Sequence, residues 1–219
     1  MAKIAIIVGS VRQNRQGIKV ARWMEEKLKE RGHIVYFIDP LELNLPLLDK
    51  MYKEIIDPPE NLKQLRNQIV EADGYMPITP EYNHSTSAAM KNTLDYFLEE
   101  YYFKPSAIVS YSVGRFGGVN AVQHLRVIFA ELGAPSISSS FSISKVQDVF
   151  DDAGRLRNPL FDKRVKRFIE EFEWYIDAFK NQRAKGTPYW RGNFQVFLDY
   201  NKKNICINIK NTYYLFKKY

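Results

Sequence analysis

The sequence predicts an α/β fold in which a parallel β-sheet is covered by helices on both faces. Strand-like and helix-like patterns alternate regularly from the amino terminus to about residue 182. The strand-like segments, such as Lys3–Gly9, are apolar at nearly every position, which is typical of strands buried on both faces. This alternation indicates repeated strand–helix–strand units and therefore a three-layer arrangement.

The first half of the chain supplies three of the predicted strands. Gly32 follows the first helical pattern, Asp39-Pro40 breaks the second strand, and Pro58 stands near the first turn of the second helix. In order, the predicted elements are a strand over Lys3–Gly9, a helix over Ile18–Arg31, a strand over His33–Ile38, a helix over Pro58–Ala72 and a strand over Gly74–Thr79.

The second half continues the same rhythm with two more strands. The predicted elements are a helix over Thr86–Glu99, a strand over Lys104–Tyr111, a helix over Gly117–Leu132 closed by Gly133, an extended segment over Pro135–Ile143 and a long helix over Pro159–Gln182. Five strands fit the flavodoxin-like order 2-1-3-4-5 better than a six-stranded dinucleotide-binding sheet. We therefore predict a three-layer flavodoxin-like fold.

Length and composition favour a protein that folds without covalent or metal cross-links. A chain of 219 residues is one large domain or a domain plus an appendage. Cys206 is the only cysteine, which excludes an intramolecular disulfide and a multi-cysteine metal site. The amino terminus runs directly into a strand pattern and no apolar run reaches the ~18 residues of a membrane helix. We expect a cytoplasmic protein with no membrane partner and no metal.

The positive charge is confined to the end of the chain. Residues 1–182 hold 24 Lys and Arg against 24 Asp and Glu, whereas residues 183–219 hold 8 against 1. We expect a folded body over 1–182 and a basic, aromatic-rich extension over 183–219 whose role is open. The extension could pack on the body or on a partner subunit, be a non-native read-through, or stack on single-stranded nucleic acid. Because the body is neutral, we expect no nucleic-acid partner.

The loop Gly9–Gly17, between the first strand and the first helix, is a candidate phosphate site. The amino terminus of a helix offers unpaired N–H groups and a partial positive charge. Ser10 and Asn14 add short donors, and Arg12 and Arg15 can bind phosphate oxygens in a forked geometry. The loop matches neither a P-loop nor G-x-G-x-x-G, which argues against a nucleoside triphosphate and a dinucleotide. A monophosphate site is favoured over the alternative, a polar loop with a helix cap.

Two further loops follow the third and fourth strands. The turn Thr79–Ser85 offers backbone amides, an aromatic ring and polar side chains, which suit a planar hydrogen-bonding ring system. The loop Tyr111–Gly118 holds three glycines within five residues, which permit a close backbone approach. Each could be an ordinary turn, but the carboxyl ends of parallel strands meet at one edge of a sheet, so all three loops converge on one crevice.

These motifs resemble those of the NAD(P)H-dependent FMN reductases, flavodoxin-like flavoproteins that include quinone, azo-dye and chromate reductases. The resemblance covers about residues 3–180. It is carried by Gly9-Ser10-x-Arg12-x-x-Arg15, by Thr79-Pro80-Glu81-Tyr82-Asn83-His84-Ser85 with Lys91-Asn92-x-x-Asp95-Tyr96, and by Gly114-x-x-Gly117-Gly118 with Leu125-Arg126. Thr86-Ser87-Ala88 departs from the pattern, which often has a bulkier residue and a proline there.

The resemblance implies FMN as the cofactor and NADPH or NADH as the co-substrate. It assigns the FMN phosphate to Ser10, Arg12, Arg15, Gln16 and Gly17, one side of the isoalloxazine ring to Pro80, Glu81, Tyr82, Asn83 and His84, and the other edge to Ser112, Gly114, Arg115, Phe116 and Gly117. Because the cofactor carries the redox chemistry, no residue is nominated as a nucleophile or general base.

The expected activity is a two-step exchange in which NAD(P)H reduces FMN and a small acceptor, such as a quinone, azo compound or free flavin, then takes the electrons. The alternatives are a flavodoxin-type electron carrier and a flavin-based redox-sensing interaction protein. The resemblance also implies a homodimer or homotetramer, and the apolar-aromatic run Leu94–Phe103 is a candidate interface.

Overall fold

A computed structural model describes residues 1–188 of the chain. Its sheet has five parallel strands in the order β2-β1-β3-β4-β5, which confirms the predicted flavodoxin-like topology. The strands are β1 Lys3–Val8, β2 Ile34–Ile38, β3 Gly74–Pro80, β4 Val109–Tyr111 and β5 Phe141–Ile143. The α-helices are α1 Gly17–Glu30, α2 Pro40–Leu43, α3 Glu60–Glu71, α4 Ala88–Asp95, α5 Val119–Glu131, α6 Val146–Val149 and α7 Leu160–Lys185.

The two faces of the sheet carry separate apolar cores because side chains alternate along each strand. In β1, Ile4 and Ile6 face the layer formed by α1 and α7, whereas Ala5 and Ile7 face the layer of α3, α4 and α5. All four are fully buried, which explains the unbroken apolar run in the sequence. The first core is closed by Trp23, Met24, Leu28, Val165, Phe172 and Ile176, and the second by Leu62, Leu65, Ile69, Leu94, Leu125 and Phe129.

The last two strands are shorter than predicted. Ser106 forms only isolated bridges, to Tyr75 and Ser136, so the ladder is continuous only near the carboxyl edge. Ahead of β5, the guanidinium of Arg126 donates hydrogen bonds to the backbone carbonyls of Ile137 and Ser138. The carboxyl edge, where ligands bind in such sheets, is therefore the regularly paired end of both strands.

The last helix passes the predicted body boundary at residue 182. Helix α7 continues to Lys185, and Arg183 donates to the carbonyl of Phe103 at 2.8 Å and to Asp73 at 3.2 Å. Asp73 also accepts from Lys180 at 3.1 Å. The helix is thereby fixed to the amino edge of the sheet, and the boundary expected at 182 falls within it. The predicted extension from residue 189 onward lies outside the described residues.

The run Leu94–Phe103 is partly buried in the core and partly exposed. Leu94, Phe97 and Tyr101 are buried against the α3–α4–α5 layer. Leu98, Tyr102 and Phe103 remain partly exposed, so the expectation that this run contributes to an interface stays a prediction. Among the described helices, none combines the length and apolar character that a membrane crossing requires.

Candidate functional site

The three predicted loops meet at the carboxyl edge of the sheet, around a cavity of about 300 Å³. They follow β1, β3 and β4, which are adjacent in the sheet. The cavity is lined by Ser10, Arg12, Gln13, Asn14, Arg15, Gln16, Pro80, Glu81, Tyr82, Tyr111, Ser112, Val113 and Val146. The convergence expected from the strand order is therefore present.

The two arginines of the first loop have different surroundings. The guanidinium of Arg15 forms a bidentate ion pair with Asp39, whose side chain is 1% exposed, and Nη1 also donates to the carbonyl of Ser10 at 2.6 Å. Arg12 is exposed, and its guanidinium carbon lies 5.6 Å from the centre of the Tyr82 ring. Within residues 1–188, no carboxylate pairs with Arg12. Arg12 is thus available to an anion, whereas Arg15 holds the loop to the end of β2.

Backbone N–H groups in this loop lack acceptors. In the described part of the chain, the amides of Val11, Gln13, Asn14 and Gln16 donate no hydrogen bond. Helix α1 begins without a side-chain cap and without an acidic residue in its first turn. Unpaired amides at an uncapped helix start form a favourable cradle for an anion, so this loop fits a phosphate group.

Ser10 connects the first loop to two tyrosines. Its buried hydroxyl lies 2.9 Å from the hydroxyl of Tyr82, and it also lies close enough to Tyr111 to oppose the effect of burial on the pKa of that tyrosine. Gly17 lies against the Tyr111 hydroxyl, and a Cβ at Gly17 would lie only 2.1 Å from that oxygen. Burial raises the pKa of Tyr111, so this hydroxyl stays protonated. Glycine is required here because the tyrosine packs directly on the helix start.

The turn after β3 is narrow and presents two amides. Tyr82 and Ser85 exchange backbone hydrogen bonds of 3.0 Å in both directions. Between them, Asn83 and His84 have φ angles of 50° and 63°, and neither amide donates to an acceptor within residues 1–188. A left-handed conformation at two successive non-glycine residues is uncommon.

The carboxylate of Glu81 points toward helix α5 and not into the open crevice. It accepts from the backbone and side-chain nitrogens of Asn120, each at 3.0 Å, and from the backbone of Ala121. Burial opposes its ionisation, but these hydrogen bonds and the nearby His84 outweigh burial and lower the pKa of Glu81.

The loop after β4 closes the crevice with a glycine pair. Gly117 and Gly118 have φ angles of 66° and 86°, and a Cβ at Gly118 would lie 3.0 Å from Cβ of Ser110. The Ser110 hydroxyl donates to the carbonyl of Gly117 at 2.8 Å. Arg115 and Phe116 lie on the outside of the same loop, where the guanidinium is 4.8 Å from the ring centre and Phe116 is 65% exposed.

All fifteen residues predicted for FMN lie on these three loops or at the first position of α1. Eight of them line the cavity: Ser10, Arg12, Arg15, Gln16, Pro80, Glu81, Tyr82 and Ser112. The others, Gly17, Asn83, His84, Gly114, Arg115, Phe116 and Gly117, belong to the same loops and are not among its lining residues. Their individual roles toward FMN remain predictions.

Several residues of the site were not singled out from the sequence, among them Val146, which lines the cavity. Tyr111 lines the cavity, Asp39 holds Arg15, and Asn120 contacts the turn after β3. Asp39 was detectable in principle, because it directly follows β2 at the carboxyl edge and its side chain caps α2 by accepting from Leu41. Asn120 carries no sequence signal, since it is an ordinary polar residue near a helix start.

Comparisons with known proteins agree with the architecture. Residues 2–148 match the family model for NADPH-dependent FMN reductase. A quinone reductase from Pseudomonas putida is 29% identical over 190 residues, which cover 80% of this chain and 91% of that protein. A 2-hydroxy-1,4-benzoquinone reductase from a Burkholderia species is 31% identical over 186 residues, covering 80% and 96%.

A solved structure shows the same fold. The flavoenzyme FerB, an NAD(P)H:(acceptor) oxidoreductase from Paracoccus denitrificans, superimposes with a TM-score of 0.64 at 22% identity, over 83% of this chain and 98% of FerB. At this level of identity, the likeness supports the flavodoxin-like sheet and its helices.

Proposed function

The chain belongs to the NADPH-dependent FMN reductase family, and from this we propose that it oxidises NAD(P)H and reduces a quinone, azo compound, free flavin or similar acceptor in two successive steps at one FMN. Membership of this family identifies the protein as an FMN-dependent NAD(P)H oxidoreductase. The two-step order and the range of acceptors are our proposal. When bound, FMN supplies the hydride and electron chemistry, while the protein supplies binding, orientation and electrostatics.

The phosphate end is the part of the site that carries this proposal. Four amides of the first loop and the uncapped start of α1 offer donors that no described protein group uses. Arg12 adds an unpaired positive charge at the rim. We propose that these donors bind the FMN phosphate and that Arg15 contributes indirectly, by fixing the loop through Asp39.

The ring end follows from the two remaining loops. The free amides of Asn83 and His84 on one side, and those of Val113 and Gly114 on the other, would face a planar ring held between them. Preorganised N–H groups favour negative charge on atoms placed against them. The Tyr82 hydroxyl is fixed by Ser10, so its ring can serve as a wall of the crevice without moving.

Access to the ring is open on the side of the β4–α5 loop. Val113 and Phe116 expose most of their apolar side chains there, and Arg115 lies beside Phe116. An apolar, aromatic rim suits the planar conjugated acceptors that quinone and azo reductases use. Arg115 would attract the phosphates of NAD(P)H, which we propose binds the same face before the acceptor does.

We also propose that the protein is a homodimer or homotetramer that associates through the α5 side. Val113 and Phe116 are exposed in the loop before α5, and Val119 and Val127 are exposed on α5 itself. Because Leu94, Phe97 and Tyr101 of the Leu94–Phe103 run are buried in the core, we propose α5 as the better candidate for the interface.

Steady-state kinetics of the FMN-loaded protein test the proposed function. NADPH or NADH oxidation is followed at several fixed concentrations of 1,4-benzoquinone. A two-step exchange gives parallel lines in double-reciprocal plots. Intersecting lines would contradict the two-step order, and no turnover with either pyridine nucleotide would favour an electron carrier instead.

A further inference from the structure

Asn120, the second residue of helix α5, connects two of the three loops that form the crevice. Its backbone N–H donates to Oε2 of Glu81 at 3.0 Å, and its side-chain Nδ2 donates to Oε1 at 3.0 Å. The same Nδ2 donates to Nδ1 of His84, which lies 2.8 Å away. Glu81 and His84 belong to the turn after β3, so one side chain holds that turn against the start of α5.

Helix α5 depends on this contact because it lacks a cap of its own. Its N-cap residue is Gly118, which has a left-handed conformation and no side chain to accept a hydrogen bond. The Glu81 carboxylate fills that role from another element by accepting from Asn120 and Ala121. A negative charge at a helix start is favourable, so the turn and the helix stabilise each other.

The turn needs an external restraint to keep its shape. The positive φ angles of Asn83 and His84 are sparsely populated by residues other than glycine and persist only where the surroundings hold them. Two contacts join the turn's tip to α5, one from His84 to Asn120 at 2.8 Å and one from Ser85 to His124 at 2.8 Å. Only the first reaches a residue in the left-handed region.

We propose that Asn120 is a positioning residue for the flavin ring. By holding Glu81 and His84 together, it maintains the turn conformation in which the amides of Asn83 and His84 have no acceptor within residues 1–188 and would be available to the ring. Asn120 does not line the cavity, so it acts through the turn and not by touching the ring. This inference rests on the proposed function, because it assigns a task to the same FMN crevice.

FMN titration of the FMN-free protein, followed by flavin fluorescence, tests the proposal with two variants. Asn120→Asp keeps the size of the side chain but replaces the donor with a carboxylate that repels Glu81. Asn120→Ala removes the donor and leaves a residue that favours helix. Losing a hydrogen bond to a charged group predicts about tenfold weaker FMN binding in both variants. Gln123 is an exposed residue on the same helix, and its side chain forms no hydrogen bond within residues 1–188. Gln123→Ala should therefore bind FMN as the wild type does.

A second readout needs no flavin. In the FMN-free protein, the Glu81 carboxyl titrates by ¹³C NMR, and the pKa should rise in Asn120→Ala because its Asn120 hydrogen bond helps to lower it. An unchanged Glu81 titration would overturn the proposal, and so would FMN binding within twofold of the wild type in both folded variants. If the wild type itself bound no FMN, the proposed function would fail, while the Glu81 titration would still test the contact.

Discussion

Arg15 and Asp39 form a buried bidentate ion pair that joins the loop after β1 to the end of β2. Nη1 lies 2.6 Å from Oδ1 and Nη2 contacts Oδ2, with side-chain exposures of 11% and 1%. Nη1 also binds the carbonyl of Ser10. A pair this buried is committed to the structure, so the neighbouring Arg12 is the arginine available to a ligand.

The two arginines should therefore respond differently to alanine substitution. Arg12→Ala should weaken FMN binding by roughly 10- to 150-fold, because a charge-assisted hydrogen bond contributes about 1.5–3 kcal/mol, and should leave stability nearly unchanged. Isothermal titration with FMN and urea unfolding measure the two effects. Equal FMN affinity in Arg12→Ala and wild type would show that the phosphate lies elsewhere.

Arg15→Ala should instead destabilise the fold, by about 3–5 kcal/mol, because it leaves the buried Asp39 carboxylate without its partner. The double variant Arg15→Ala with Asp39→Asn should recover part of this loss, since the uncompensated charge is removed. Urea unfolding of the three proteins measures the recovery. A single variant as stable as the wild type would contradict the structural role of the pair.

The start of α1 has no room for a side chain. A Cβ at Gly17 would lie 2.1 Å from the Tyr111 hydroxyl oxygen and 2.7 Å from its ring carbon Cζ. Gly17→Ala should therefore cost about 1–3 kcal/mol of overpacking. Adding Tyr111→Phe removes the nearer atom and should restore part of the stability in thermal unfolding. Neither Gly32→Ala nor Gly154→Ala is an equivalent control, because both glycines have a positive φ angle.

The position of the site was predictable from the sequence because it depends on strand order. Parallel strands place the loops after β1, β3 and β4 at one edge, so recognising apolar strands followed by Gly, Pro and polar residues located the crevice. The boundaries of β4 and β5 were less predictable. Side-chain bonds such as those of Arg126 to backbone carbonyls interrupt pairing there, and such bonds have no periodic signature.

The separate roles of the side chains within the site were not predictable, because these roles depend on contacts between residues that are distant in the sequence. Arg12 and Arg15 look equivalent in the sequence, and only Asp39, 24 positions away, separates them. Asn120 is 39 positions from Glu81 and becomes relevant only when α5 packs beside β3. Local patterns identify which loops form a site, whereas tertiary contacts decide which side chains remain free for a ligand.

The link between α7 and the end of α1 should make stability dependent on acid pH. Hydrogen bonds from Arg31 and, after the opposing effect of burial, from His33 lower the pKa of Glu173. A carboxyl whose pKa is lower when folded adds stability above its ordinary value of 4.5, and this stability is lost as pH falls through the lowered pKa.

Glu173→Gln removes that titration. The difference in unfolding free energy between wild type and Glu173→Gln should be largest near pH 6 and shrink as the pH falls below about 4.5. Urea unfolding at several pH values measures it. Asp177→Asn, at an exposed carboxylate on the same helix that forms no ion pair within residues 1–188, is the matched control. A difference that stayed constant down to pH 3 would show that Glu173 contributes by packing and not by charge.

The position of the body's end can be tested by two truncations. Ending the chain after residue 188 retains the contacts of Arg183 with Asp73 and Phe103, whereas ending it after Gln182 removes them. Both proteins should bind FMN, because the crevice lies at the opposite edge of the sheet. The shorter one should be less stable by about 1–2 kcal/mol, the usual cost of losing hydrogen bonds to partly buried partners. Arg183→Ala in the longer protein should reproduce most of that loss in urea unfolding.

Equal stability of the two truncations would place the end of the folded body at residue 182. Loss of FMN binding in both would show that the extension contributes to the crevice.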